Sequence, residues 1–110
     1  MTTLPSHVLK KLIANHHRGL KRALNGSEAV CKLYDPCRRY AFYCFEAHPV
    51  PDSTRADVLL YGFRMSPLGE DYDEWTCESL VDILDLGHID LYVMSGLGVT
   101  RQVLDSGERP

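Results

Sequence analysis

The sequence predicts an α+β domain: a small, mainly antiparallel sheet of about four strands, with an N-terminal helix and a short helix before the last strand. Three observations carry this prediction. Apolar residues recur at helical spacing near the N-terminus. Four later segments are short, apolar and rich in aromatic and β-branched residues, and the links between the first three are short enough for antiparallel neighbours. With 110 residues, 45% of them hydrophobic and 25% charged, the chain has the composition of one folded domain. We expect its core to run from about residue 6 to 95 and the tail 96–110 to be loose.

The first helix opens at Pro5-Ser6, with Ser6 expected as its N-cap. Leu9, Leu12, Ile13, Leu20 and Leu24 form its apolar stripe, and Lys10, Lys11, Arg18, Lys21 and Arg22 lie on other faces. Gly19 weakens its middle by roughly 1 kcal/mol relative to alanine. Asn25-Gly26 ends it with residues that accept positive φ. AVCKLY (29–34) reads as a first strand, Asp35-Pro36 as a turn, and RRYAFYCFEA (38–47) as the longest strand. Both faces of that strand are apolar or aromatic, which makes it central. HPVPDST (48–54) is a loop by its prolines. DVLLYGFR (57–64) is a third strand, in which Gly62 marks a bulge or a close approach. An acidic loop follows, then a helix through Leu84 with Thr76 as N-cap and Glu78 near its start. IDLYVM (89–94) is the last strand.

No apolar run is long enough to cross a bilayer, and MTTLPSHVLKK lacks the basic-then-apolar order of a secretory signal. Both point to the cytoplasm. Cys31, Cys37, Cys44 and Cys77 contain no C-x-x-C pair, and most lie among aromatic and aliphatic residues. They are expected as reduced, packed thiols.

Charge is segregated along the chain. Residues 1–40 carry eight lysines and arginines against Glu28 and Asp35, a balance of +6, while residues 41–110 carry four arginines against thirteen carboxylates, a balance of −9. Between Arg64 and Arg101 lie eight carboxylates and no lysine or arginine. Such segregation speaks to partners and solubility rather than to fold.

LIAN (12–15) and KLYDPC (32–37) resemble motifs of a small domain family of unknown function carried on plasmids, conjugative elements and phages. Members of that family begin with a helix ending near L-A-N and continue into K-L-F-D-P. A strand leading to T-E-x-D-P follows, then a strand with F-G, then G-Y-x-S-L-x-E-L, and a strand near the C-terminus. Here FEAHP (45–49), Tyr61-Gly62 and Trp75 to Leu80 stand in the corresponding places, so the resemblance spans about residues 8–94. The family's I-E-R-D before the last strand is present only as His88-Ile89-Asp90, without the arginine, and the loop from Arg64 to Trp75 is more acidic. The resemblance implies an accessory protein of a mobile element, in a bacterial host cell. It implies no chemistry.

Nor do the residues point to catalysis. His7, His16, His17, His48 and His88 show no i, i+4 zinc pair. Arg38 and Arg39 beside Cys37, and a helix start beside Cys77, would lower a thiol pKa, but a nucleophile also needs an orienting histidine. Gly96-Leu97-Gly98 lacks a third glycine, and no nucleophile-elbow or phosphate-loop motif is present. The sequence therefore leads us to expect no enzyme, no metal and no cofactor.

Binding is the expectation that remains. Glu70, Asp71, Tyr72, Asp73, Glu74, Trp75, Glu78 and Asp82 form a candidate protein-docking surface, acidic with aromatic residues interleaved. Its partner would be a protein with a basic nucleic-acid-binding surface. With the resemblance, this becomes an inhibitor of a bacterial defence complex, such as a CRISPR effector subunit. The alternative is direct nucleic-acid binding by Lys10, Lys11, Arg18, Lys21 and Arg22 on the first helix, with no helix-turn-helix, RNP or zinc-finger motif to support it.

Overall fold

Helix α1 (Ser6–His17) precedes three strands, β1 (Cys31–Asp35), β2 (Tyr40–Pro49) and β3 (Val58–Met65). Then come β4 (Glu74–Ser79), α2 (Leu80–Asp85), β5 (Tyr92–Ser95) and α3 (Arg101–Asp105). The computed structural model describes residues 4–17, 28–35, 40–49, 58–65, 73–85, 92–95 and 97–106. The architecture is the expected α+β one. Its sheet is antiparallel with the order β4-β3-β2-β1-β5, five strands where about four are expected from the sequence.

The first helix begins where proline and serine place it, with one adjustment. The Pro5 carbonyl accepts from the amides of Val8 and Leu9 at 3.1 and 3.0 Å, so Pro5 is the capping residue and Ser6 the first helical one. Leu20, Leu24, Gly19 and Asn25-Gly26 lie outside the described residues. Val8 and Leu12 are buried against Leu33, Phe42, Cys44 and Leu60 on one face of the sheet, with Ile83 of α2 completing that core. Lys10 and Lys11 are exposed.

Strand β2 is central, as its two apolar faces predict, and Tyr40 to Ala47 are all buried. Its second face meets a separate core of Ala29, Ala41, Tyr43, Phe45, Met65 and Leu104, with Phe63, Trp75, Leu97 and Val99 packed around it. Leu104 belongs to α3. The C-terminal segment is thus not loose through its described part: Thr100 caps α3 by accepting from the Val103 amide, and the Ala29 amide donates to the Val99 carbonyl at 2.7 Å. Docking it buries the apolar side of a five-residue helix that has no stability of its own.

A second correction concerns residues 74–79. These form an edge strand, not a loop running into a helix. Trp75 and Cys77 alternate with Glu74, Thr76 and Glu78, opposite Phe63, Tyr61, Arg64, Gly62 and Leu60 of β3 respectively. Thr76 is consequently a strand residue. Ser79 caps α2 instead, its Oγ accepting from the Asp82 amide at 3.2 Å.

The buried thiols give the fold an alkaline limit. Cys31 and Cys44 are opposite partners on β1 and β2, both free and buried. Burial, helped by the Cys31 thiol beside it, pushes the Cys44 thiol well above its ordinary range. Burial also raises the Tyr40 hydroxyl, with Cys44 and Glu78 adding to the effect and Arg64 opposing it. Both groups hold their protons more tightly folded than unfolded. Their stabilisation is complete below the unfolded pKa and is lost as pH rises above it. Stability should therefore fall by ~1.4 kcal/mol per pH unit from about pH 8.5 on account of Cys44, and more steeply above about pH 10 as Tyr40 joins. Urea unfolding at stepped pH measures this, and Cys44→Ala should flatten the first part of the slope. An equal slope in the variant would assign it elsewhere.

Candidate functional site

One cluster of titratable side chains in the described structure is not revealed by the sequence. Cys44 of β2 pairs with Gly62 and Glu46 pairs with Tyr61, leaving Phe45 as an extra residue in a β-bulge. Strict alternation would turn Glu46 to the same face as Phe42 and Cys44, into the core under α1. The bulge shifts the register by one and sends Glu46 to the face of Tyr61 instead. His48, opposite Leu59, follows it there. On β4, Cys77 lies opposite Tyr61 on the same face.

β1 pairs with β2 only from Cys44 onward toward Tyr40, so beyond Cys44 the far half of β2 has β3 alone as a strand neighbour among the described residues. The last turn of α1 approaches there. Asn15 Nδ2 donates to the Phe45 carbonyl at 3.0 Å, using an acceptor of the bulged residue. His16 Nδ1 stands 3.4 Å from Glu46 Oε1, and the His16 ring lies against His48 with centroids 4.6 Å apart. His16, Glu46, His48, Leu59, Tyr61 and Cys77 line a pocket of about 120 Å³. Glu46 is only 3% exposed, and its Oε2 has no hydrogen-bond partner among the described residues.

The acidic segment is less bare than the sequence suggests. Glu70, Asp71 and Tyr72 lie outside the described residues. Arg64 of β3 donates to Glu74, directly opposite it, and to Glu78 at 2.9 Å. These half-exposed pairs contribute at most about 1 kcal/mol each to stability, but they neutralise part of the edge. Asp73 is half-buried and Asp82 exposed. Trp75 is half-buried and committed to its own fold. It packs against Phe45, Tyr61 and Phe63, donates from Nε1 to Asp105 at 2.7 Å, and carries the Arg101 guanidinium 4.1 Å over its ring. Arg101 also donates to the Tyr61 hydroxyl at 3.2 Å and pairs with Asp105. The structure thus turns Trp75 into the link between β4 and α3.

Of the basic candidates, Lys10 and Lys11 are exposed on α1, whereas Arg18, Lys21 and Arg22 lie outside the described residues, as does Cys37. Cys77 is exposed and sits in the pocket with two imidazoles, not at a helix start. Among the described residues no three His, Cys, Asp or Glu side chains are placed to hold a metal ion, and no helix is long and apolar enough to cross a membrane. No family model, curated protein or solved structure matches the chain.

Proposed function

We propose that this protein is a non-enzymatic binding domain that docks its acidic edge onto a basic protein surface, in the cytoplasm of a bacterial host. What supports this is the position of β4. It is the outermost strand of the sheet on its side, so Asp73, Glu74 and Glu78 stand along an accessible edge, and the acidic run 70–74 leads directly into it. The stretch from residue 65 to 100 holds eight carboxylates and no lysine or arginine, and among the described residues Arg64 pairs with Glu74 and Glu78. Charges on an edge strand also deter self-association. The eight carboxylates between residues 65 and 100 favour a partner of opposite sign that neutralises self-repulsion. An accessible edge also accepts an added strand from a partner.

The resemblance to domains of mobile elements gives this reading its concrete form: occlusion of the nucleic-acid-binding surface of a defence complex such as a CRISPR effector. The test is displacement. Added to nucleic-acid-loaded bacterial defence effectors, the wild-type protein should release nucleic acid from one of them. A variant carrying Glu70→Gln, Asp71→Asn, Asp73→Asn and Glu74→Gln should do so more than about tenfold more weakly while remaining folded by circular dichroism. Raised salt should weaken the wild type more than the variant. Equal potency and equal salt slopes would end the acidic-edge reading. A gel shift of the isolated protein with DNA or RNA, abolished by neutralising Lys10, Lys11, Arg18, Lys21 and Arg22, would replace it with direct nucleic-acid binding.

A further inference from the structure

We infer that the pocket around Glu46 is a receptor for a guanidinium group, the head of an arginine side chain on the basic partner; this choice of source rests on the docking reading above. The reason begins with the carboxylate. Glu46 is almost fully buried, and burying a carboxylate is costly unless donors surround it. His16 stands beside Oε1, and Oε2 has no partner among the described residues. Whatever completes the site must bring a hydrogen-bond donor, N–H or O–H, to Oε2. An anion is repelled by Glu46, so a cationic or neutral donor is required.

The walls select further. The rings of His16, His48 and Tyr61 and the alkyl chain of Leu59 line the same pocket as Glu46, which gives a planar cation flat faces to lie against and its stem apolar contact. At about 120 Å³ the pocket is well below the roughly 300 Å³ at which drug-sized ligand sites begin, but it exceeds the ~30 Å³ share of one water several-fold. One long side-chain terminus matches that size. A guanidinium is preferred to an ammonium because its planar fork can place two N–H groups on one carboxylate. The same aromatic face already holds such a group: Arg101 donates to the Tyr61 hydroxyl while lying over Trp75. Arg101 is committed there and to Asp105, so an arginine from outside would be a second guanidinium beside Tyr61.

Titrating butylguanidinium, butylammonium and the neutral butylurea into the 110-residue protein tests the chemistry by NMR. Butylguanidinium should produce saturable shifts centred on His16, Glu46, His48 and Tyr61, with butylammonium weaker and butylurea weaker by about tenfold or more. Glu46→Gln should weaken butylguanidinium binding by about the same factor; the butylurea comparison carries the test without a variant if Glu46→Gln does not fold. Absence of saturable shifts in the pocket, or equal binding of butylurea, overturns the proposal. The probe needs no partner, so this result is independent of effector displacement. Glu46→Gln that displaces nucleic acid as well as wild type, while butylguanidinium still fills the wild-type pocket, overturns the partner arginine as source and assigns the pocket to a free guanidinium compound.

Discussion

Replacing Gly62 by alanine should destabilise the domain by about 3 kcal/mol, the upper end of what overpacking a core costs. Gly62 lies opposite Cys44, next to the bulge in β2. A Cβ built on it would meet the Tyr43 carbonyl oxygen at 1.9 Å and Phe42 Cε1 at 2.7 Å. The Tyr43 carbonyl belongs to the central strand and Phe42 is fully buried, so neither has room to retreat. The sheet must separate locally, and the register that carries Glu46 to its pocket is the part that suffers. Urea unfolding of wild type and Gly62→Ala measures the loss. Trimming Phe42 should not rescue it, because the first obstacle is backbone. A change below about 1 kcal/mol would mean that β2 and β3 are farther apart than described.

Gly62 also shows how far the sequence is legible. A glycine inside DVLLYGFR predicts a bulge or a close approach, and the close approach is there, against Phe42. The bulge lies across the ladder, between Cys44 and Glu46, where YCFEAH has no glycine or proline to announce it. A local sequence pattern cannot report a register shift forced by packing between strands. The pocket was hidden for the same reason: His16, Glu46, Tyr61 and Cys77 are each unremarkable alone and meet only through that shift. The central strand, by contrast, was readable, because eight consecutive buried residues leave no polar face to confuse the pattern.

Strand β4 departs from the sequence expectation for a different reason. EWTCES alternates Trp75, Cys77 and Ser79 with Glu74, Thr76 and Glu78, which is a strand pattern with its charged side exposed or paired to Arg64. The carboxylates and Thr76 favour loop and cap by residue type, while the alternation through them is that of a strand. Edge strands commonly carry charge, so charge alone argues against a central strand and not against a strand. Ser79, three residues on, has the same capping chemistry as Thr76 and sits where the alternation stops.

The described C-terminal segment gives the second large effect. Leu104→Ala should lower stability by about 3 kcal/mol, within the usual range for a buried leucine, and Tm by roughly 10–20 °C. Leu104 is 2% exposed and packs in the core of the second sheet face with Ala41, Tyr43, Phe45 and Met65. Among the described residues α3 is otherwise attached through the Thr100 cap, the Val99 carbonyl held by Ala29, the Arg101 hydrogen bond to Tyr61 and the contacts of Arg101 and Asp105 with Trp75. Removing the leucine leaves a cavity under a helix too short to hold itself, so the segment should lift rather than settle inward. Trp75 is the sole tryptophan, so its emission reports this directly. The emission should move to longer wavelength in Leu104→Ala as the indole loses Arg101 and Asp105 and gains water. Gln102→Ala, on the exposed side of the same helix, should stay within about 0.5 kcal/mol of wild type with unchanged emission. If both variants melt like wild type, residues 101–105 contribute nothing to the second core, and the loose tail expected from the sequence would be the correct description.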